Sequence, residues 1–260
     1  MVPRSWCIGI TEQAMKEMAI MVTVADKSVL VTGGNRGIGR ALVEEALTRG
    51  ATRVYVGTRA PLTHQDSRVT ALALDVTNAA QIHSAVEHVE SLDVLINNAG
   101  LALYDDLTDS SALDRHLAVN LYGTHSMIQA FLPLLTRSGG AIVNNLSVNA
   151  LAPLPLIPAY SVSKAAAFNL TQSMRALLVG RGVSVHAVLT GPVDTDMTRG
   201  LEIAKSSPES VARAIFDGLA HGDEDIFPDP FTAALAESWS DGPARTLERL
   251  YAALLVDAAQ

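Results

Sequence analysis

Residues 28–39 read SVLVTGGNRGIG, and this segment gives the first indication of the fold. Four of its first five positions, residues 29–32, are apolar or β-branched, as in a buried strand, and a glycine-rich turn then leads into a helical pattern. Glycines let such a turn close tightly and approach a pyrophosphate, whose charge is met by the free N–H groups at the helix start. The turn alone is weak evidence for a dinucleotide site, so the rest of the chain has to supply the context.

That context is a regular alternation of short β-branched runs and longer helical patterns. The sequence predicts strands at residues 28–32, 53–58, 69–74, 92–96, 141–146, 183–189 and 225–227. It predicts helices at residues 39–49, 78–90, 110–135, 158–179, 208–220 and 244–256. Because the strands are nearly continuous apolar runs, helices should cover both faces. We therefore predict an α/β fold with a single doubly wound (Rossmann) parallel sheet of about seven strands.

The length favours one domain. A chain of 260 residues buries about 70–75% of its unfolded surface in a single core. The first two dozen residues differ from the rest of the chain, since no strand or motif begins before Ser28. We predict an N-terminal extension at residues 1–24 and a dinucleotide-binding catalytic domain at residues 25–260.

Composition excludes several classes of partner. Hydrophobic residues make up 48% and charged residues 18%, which describes a globular chain and excludes extensive disorder. Lys and Arg number 19 against 27 Asp and Glu, a net charge of −8 with no basic run, so no nucleic-acid partner is expected. No apolar stretch reaches the roughly 18 residues of a membrane span, and no secretory signal is evident. We expect a cytoplasmic protein without a membrane partner.

A metal site is not expected either. The seven histidines are scattered without close pairing. The single cysteine, Cys7, can form neither an internal disulfide nor a cysteine-rich metal site.

The second strand ends at Thr58-Arg59, without the acidic residue that takes the ribose hydroxyls of NAD. An arginine there can instead meet the 2′-phosphate of NADP. Arg36, in the glycine-rich turn, is expected to face the same region. The two arginines favour NADP over NAD, the alternative being that both are solvated surface residues.

Two more polar clusters end strands. Asp75 and Val76 follow the third strand, and Asn97-Asn98-Ala99-Gly100 follow the fourth. The carboxyl ends of parallel strands are where ligands of open α/β sheets bind. These residues suit a groove for the adenosine half of a dinucleotide, with Asp75 and Val76 near the adenine.

The sharpest signal lies in Tyr160-Ser-Val-Ser-Lys164. The spacing of four places the phenol and the ammonium on one helical face. An ammonium beside a phenol should lower the tyrosine pKa from about 10 towards the working pH, as a general acid or base requires. Ser147, at the end of the fifth strand, could bond a substrate oxygen. Asn120 is a polar residue within an apolar helical stretch.

In this order the motifs resemble those of the short-chain dehydrogenase/reductase family over roughly residues 27–228. The resemblance implies that Tyr160 protonates a carbonyl oxygen as NADPH delivers hydride. It also implies that Lys164 lowers the tyrosine pKa and holds the nicotinamide ribose. By the same resemblance, Ser147 orients the substrate and Asn120 holds a water. The family's Pro-Gly motif appears here as Thr190-Gly191. The cofactor-binding set predicted from the residues and the resemblance together is Gly33, Asn35, Arg36, Gly37, Ile38, Gly39, Thr58, Arg59, Asp75, Val76, Asn97, Ala99, Gly100, Tyr160, Lys164, Val193 and Thr195.

We therefore predict an NADP-dependent carbonyl reductase acting on a ketone or aldehyde. Residues 198–207 are too few for a long helical lid, and residues 148–159 are almost wholly apolar, so we expect an apolar substrate and a mouth that admits bulky groups. The alternative for the apolar loop is subunit packing. Rival functions are an NAD-preferring alcohol dehydrogenase and a catalytically silent dinucleotide sensor. We expect a homo-oligomer, a dimer rather than a tetramer, through the helices that carry Asn120 and Tyr160.

Overall fold

A computed structural model describes residues 22–257, with side chains described up to residue 252. The predicted extension therefore lies outside the described residues except for its last three positions, and Cys7 lies outside them entirely. Within residues 22–257 seven strands form one parallel sheet in the order β3-β2-β1-β4-β5-β6-β7. The strands are β1 Ser28–Thr32, β2 Arg53–Thr58, β3 Val69–Ala73, β4 Val94–Asn97, β5 Ala141–Asn145, β6 Ser184–Val188 and β7 Asp225–Ile226.

Helices connect the strands and follow the last one. They are α1 Gly37–Thr48, α2 Ala79–His88, α3 Ser110–His116, α4 Thr124–Ser138, α5 Pro158–Leu178, α6 Pro208–His221, α7 Pro230–Ser240 and α8 Pro243–Asp257. A π-helical segment, Leu117–Gly123, joins α3 to α4. The doubly wound parallel fold predicted from the alternation is confirmed.

Helices cover both faces of the sheet because successive strand side chains point to opposite sides. Val29 and Val31 of β1 pack in one core cluster with α1 and α6, while Leu30 packs in a second cluster with α2, α4 and α5. Val22 and Val24 are buried in the first cluster. The packed body of the protein thus includes residues that precede the predicted domain boundary at residue 25.

The strand order reverses between β1 and β4, since β1 pairs with β2 on one side and with β4 on the other. Such a switch point opens a crevice at the carboxyl ends of the strands, where ligands of this fold bind. The glycine-rich turn follows β1 at that point.

The structure departs from the predicted elements in two places. The helix predicted at 110–135 is interrupted by the π-helical segment, whose wider turn accommodates an extra residue. The chain after β7 forms two helices, α7 and α8, whereas the sequence predicted one helix at 244–256 within a helical tail. Asp229 caps α7 by accepting a hydrogen bond from Thr232, and the break before α8 falls at Gly242.

Candidate active site

The glycine-rich turn is held against β2. The Gly33 and Gly34 amides both donate to the Gly57 carbonyl, at 2.8 and 3.3 Å. Gly33 and Gly37 have positive φ values of 66° and 50°. A Cβ on Gly39 would lie 2.2 Å from the Gly33 carbonyl oxygen, so no other residue fits there.

The turn delivers the amino end of α1 to the crevice. Arg36 is the N-cap residue, and no side chain caps this helix. Asn35 and Arg36 are exposed at the tip of the turn, while Ile38 packs against the core. Uncapped amides at a helix start suit an anionic group, so this end of the crevice fits the pyrophosphate of a dinucleotide.

A cavity of about 150 Å³ lies at the carboxyl ends of β2 and β3. Asp75 at its edge accepts hydrogen bonds from the Thr77 hydroxyl and amide, which lower its pKa, as does the nearby Arg59. Val76 is buried against Gly123. The cavity is lined by Thr58, Arg59, Ala73, Leu74, Asp75 and Gln81.

Arg36 does not line that cavity. Its guanidinium forms an exposed ion pair with Asp196, at 3.2 Å, in the loop after β6. The expectation that Arg36 and Arg59 face the same region is therefore wrong in this conformation. Arg36 leaves the turn from the N-cap position, where its side chain extends towards the loop after β6.

The loop after β4 packs against the turn. The Asn98 and Ala99 amides donate to the Thr32 hydroxyl, each at 3.0 Å. A Cβ on Gly33 would lie 3.1 Å from the Ala99 Cα. A Cβ on Gly100 would lie 3.8 Å from Lys164 Nζ, so the loop leads from the turn to the predicted catalytic lysine.

Asn97 points elsewhere. Its side chain is buried and its Nδ2 donates to Asn144 Oδ1 at 2.9 Å. Its Oδ1 has no hydrogen-bond partner among the described residues. Asn144 in turn donates to the Thr171 hydroxyl on α5. The Asn97 side chain is thus used between two strands, and a role of this residue in cofactor binding stays a prediction.

Helix α5 carries the predicted tyrosine and lysine. Pro158 occupies its first turn, where a missing N–H costs nothing. Lys164 Nζ donates to the Asn145 carbonyl at 2.9 Å and lies 5.6 Å from the centre of the Tyr160 ring. The four-residue spacing therefore brings the two groups together.

The pKa of Tyr160 moves in the direction opposite to the prediction. Burial raises it to about 12, and a hydrogen bond with Ser147 lowers it by less. Burial also lowers the pKa of Lys164 to about 8, which weakens the influence of its charge. The sequence showed the spacing of the two groups but not their desolvation.

Ser147 lies beside the phenol, two residues beyond β5. Its hydroxyl donates weakly to the Thr190 carbonyl, at 3.4 Å, and accepts from the Asn149 amide at 3.2 Å. Ser147 and Tyr160 are each 8% exposed, so a substrate oxygen could meet both hydroxyls at the surface of the crevice.

Asn120 lies in the π-helical segment and is buried. Its Oδ1 accepts from the Leu101 amide, and its Nδ2 donates to the Leu101 carbonyl and to Ser163 Oγ, all at 2.9 Å. The resemblance implied that Asn120 holds a water. The side chain fastens the loop after β4 to α5, and both donors of its amide group are used, while the water-holding role stays a prediction.

Val193 and Thr195 lie in the loop after β6. Thr195 Cγ2 would be 3.1 Å from a Cβ on Gly37, so this loop touches the glycine-rich turn. The Asp194 amide donates to the Ser206 carbonyl at 2.9 Å, and Ser206 pairs with Val193. The loop closes on itself around a single 3₁₀ turn at Asp196–Thr198, as its shortness predicted.

The sequence did not indicate one neighbour of Tyr160. His116 is fully buried and its ring meets the Tyr160 ring edge-on, with centres 6.1 Å apart. Its Nδ1 lies 2.6 Å from the Ala112 carbonyl, and its Nε2 accepts from the Leu103 amide at 3.0 Å, a pattern that requires the neutral ring. Its position four residues before Asn120 was the available signal.

The described residues contain no group of three His, Cys, Asp or Glu side chains placed to hold a metal. Among the helices of that same part of the chain, none combines the length and apolarity of a membrane span.

The profile of the family described as short chain dehydrogenase matches residues 27–205. The chain belongs to this family. It is 37% identical over 203 residues to 2-(S)-hydroxypropyl-CoM dehydrogenase 3 of Xanthobacter autotrophicus, covering 72% of this chain and 80% of that one. It is 34% identical to a sorbitol dehydrogenase of Cereibacter sphaeroides, and the match covers 72% of this chain and 78% of that one.

A solved structure agrees. A short chain dehydrogenase from Burkholderia cenocepacia, crystallised with NADP, is 34% identical with a TM-score of 0.81, covering 88% of this chain and 99% of that one. As a member of the short-chain dehydrogenase/reductase family, the protein is an oxidoreductase.

Proposed function

We propose that the protein is an NADP-dependent reductase of ketones or aldehydes, with Tyr160 as the proton donor. The observation that carries the proposal is the meeting of Ser147, Tyr160 and Lys164 at the carboxyl ends of the strands, beside the uncapped start of α1. NADPH, when bound there, supplies the hydride.

The phenol suits the reductive direction. A pKa raised to about 12 by burial keeps the Tyr160 hydroxyl protonated at neutral pH. It can therefore give its proton to a carbonyl oxygen once that oxygen gains negative charge. Ser147, beside the same phenol, would turn its single proton from its weak bond to the Thr190 carbonyl, at 3.4 Å, to that oxygen and so fix the position of the oxygen.

Lys164 supplies positive charge beneath the phenol. Its ammonium is held by the Asn145 carbonyl and lies 5.6 Å from the Tyr160 ring centre. This charge favours the phenolate left after proton transfer. The same lysine is proposed to hold the nicotinamide ribose, since the groove beside Gly100 leads to it.

The preference for NADP is proposed from Arg59. The cavity that it lines has no acidic partner for the ribose hydroxyls at the end of β2, and the relative from Burkholderia cenocepacia was crystallised with NADP. Asp75, two residues after the neighbouring strand β3, already accepts two hydrogen bonds from Thr77. Arg36 can join the phosphate if it leaves its exposed pair with Asp196.

The proposed substrate is apolar. Leu154 and Leu156, between Ser147 and α5, are 40% and 60% exposed, while Leu151 and Ile157 are half-buried. The loop after β6 folds on itself without a helical lid. An open mouth with an apolar wall favours aryl or long alkyl ketones. The dimer and the cytoplasmic location are proposed on the sequence alone.

The first test is Tyr160→Phe, assayed by NADPH oxidation at 340 nm over a panel of ketones. Removing the proton donor should lower kcat by about 10² to 10⁴. Tyr251→Phe is the matched control, because Tyr251 is 61% exposed on α8. Turnover in Tyr160→Phe equal to the control would contradict the assignment.

The same panel separates the rivals. Activity with alcohols and NAD that exceeds activity with ketones and NADPH would favour the alcohol dehydrogenase, in keeping with the names of the two dehydrogenase relatives. Cofactor binding without any turnover would favour the dinucleotide sensor.

The cofactor preference is tested by Arg59→Ala. Loss of one charge-assisted contact should weaken NADP binding about 10-fold to 150-fold and leave NAD binding much less affected. Arg53→Ala, at the opposite end of β2, is the matched control. Equal weakening of both cofactors would refute the role of Arg59.

A further inference from the structure

Thr190 lies where the family's motif has proline, and its side chain forms hydrogen bonds. The hydroxyl is buried, and its one proton is shared between two acceptors, Asn145 Oδ1 at 3.2 Å and the Leu146 carbonyl at 3.1 Å. A proline has no such donor. The Thr190 carbonyl also accepts from the Val148 amide at 2.9 Å and from Ser147 Oγ at 3.4 Å.

Asn145 is the centre of this arrangement. Its Nδ2 donates to Asn98 Oδ1 at 3.0 Å, and its backbone carbonyl accepts from Lys164 Nζ at 2.9 Å. One residue thus connects its own strand to the loop after β4, to the turn after β6 and to the catalytic lysine.

The connection ends at the glycine-rich turn. Asn98 Nδ2 donates to the carbonyls of Thr32 and Gly33, at 3.0 and 3.3 Å. The bonds from Thr190 through Asn145 and Asn98 to Thr32 therefore cross the carboxyl ends of β6, β5, β4 and β1. We call these four residues the strand-end network.

We propose that Thr190 and Asn145 are positioning residues, which act through the Asn145 carbonyl on Lys164 and through the Thr190 carbonyl on Ser147. The inference rests on the proposed reductase function. Lysine carries a flexible four-carbon stem, so the place of its ammonium depends on the acceptor that holds it. That acceptor is the backbone carbonyl of Asn145 at the end of β5. The Asn145 side chain is in turn held by Asn98 on one side and by Thr190 on the other.

The test compares Thr190→Val with Thr190→Ser. Valine keeps the shape but removes the hydroxyl, leaving Asn145 Oδ1 without this donor, whereas serine keeps it. Thr190→Val should lower kcat about 3-fold to 10-fold, the worth of one hydrogen bond, while the Kd of NADPH stays within about twofold. Thr190→Ser should recover most of kcat.

The matched control is Thr171→Val. Thr171 is also buried and bonds an asparagine of β5, Asn144, but the side chain of that asparagine bonds Asn97 and makes no hydrogen bond to Lys164 or Ser147. A purely structural loss would lower Tm in both valine variants. The loss of kcat should appear in Thr190→Val alone.

A second readout needs no substrate. Acetylation of Lys164 by acetic anhydride, measured by peptide mass spectrometry against Lys205 as internal reference, follows its unprotonated fraction and its exposure. A weakened acceptor favours the ammonium less, so Lys164 should react faster at neutral pH in Thr190→Val and not in Thr171→Val.

The outcomes separate the two proposals. If wild type reduces no carbonyl compound, the proposed function fails, and Lys164 acetylation alone decides the inference. Unchanged Lys164 reactivity in Thr190→Val, a kcat within twofold of wild type in an active enzyme, or an equal defect in Thr190→Ser or Thr171→Val would overturn it.

Discussion

Helix α5 touches two buried polar clusters that are built in opposite ways. Near its start, the proposed active-site cluster holds the ammonium of Lys164 by the neutral Asn145 carbonyl, and the Asn120 amide bonds the Ser163 hydroxyl in the same cluster. Near its end, the charged cluster joins two guanidinium groups to three carboxylates beneath α8. The members of the charged cluster are Arg175, Glu224, Asp225, Arg245 and Glu248.

The two clusters respond to burial differently. Burial lowers the pKa of Lys164 to about 8, and the described residues place no carboxylate at hydrogen-bond distance to oppose it. Burial raises the pKa of Asp225, but Arg175 and Arg245 outweigh it, so the net pKa is lowered. The charged cluster compensates the cost of its own desolvation, whereas the proposed active-site cluster keeps an uncompensated cation, which lowers the stability of the fold.

The largest expected effect comes from removing that cation. Lys164→Met should lower kcat by about 10² to 10⁴, because the phenolate loses its supporting charge. It should also raise the free energy of unfolding by about 1 to 3 kcal/mol at pH 7, since a desolvated charge disappears.

Both quantities are measurable on one sample, by NADPH oxidation and by urea unfolding. Lys205→Met is the control, a lysine whose ammonium bonds the Thr198 carbonyl in the loop after β6. A less stable Lys164→Met protein would mean that the active-site cluster is compensated after all.

The next effect is on stability alone. Arg245→Met breaks the charged cluster by removing the guanidinium that bonds Glu224, Asp225 and Glu248. Removing one partner of a buried ion pair costs about 3 to 5 kcal/mol. The kcat per folded molecule should stay unchanged, because no member of the cluster lies in the proposed active site.

Thermal unfolding and kcat of Arg245→Met are to be compared with those of Arg249→Met, one turn further along α8 and outside the cluster. A drop in kcat that exceeds the loss of folded protein would show that the two ends of α5 are coupled.

The smallest effect is a pH dependence. The folded pKa of Lys164, about 8, lies below its ordinary value of 10.5, so the unfolded chain binds more protons between these values. The free energy of unfolding therefore rises with pH between pH 8 and pH 10.5, by about 3 kcal/mol in total. The penalty is complete below pH 8 and vanishes above pH 10.5.

Urea unfolding at pH 7.5 and 9.5 tests this in wild type and in Lys164→Met. The difference between the two proteins should shrink as the pH rises. A constant difference would place the folded pKa of Lys164 at its ordinary value.

The sequence predicted the sheet well because its signals are local. The apolar runs placed all seven strands to within two residues, and the spacing of Tyr160 and Lys164 follows from one helical turn. What it missed depends on contacts between distant residues. Asn145 gains its place from Asn98 and Thr190, which lie 47 and 45 residues away in the chain.

The errors have the same origin. The Tyr160 pKa was predicted from a neighbouring charge, but burial by the surrounding loops and helices dominates it. His116 was passed over because a scattered histidine shows no pattern, although the fold brings it against Tyr160. Arg36 was expected near Arg59 because of its position in the turn, but its guanidinium forms an ion pair with Asp196.

The π-helical segment at Leu117–Gly123 makes this region sensitive to chain length. Deleting one residue there would favour an ordinary α-helix and rotate α3 by about 100° relative to α4. His116 would leave the Tyr160 ring, and Leu103 would lose its acceptor. Evolution can therefore substitute residues in this stretch more readily than it can shorten it, and homologues that differ by a single-residue gap here should have rebuilt the wall beside the tyrosine.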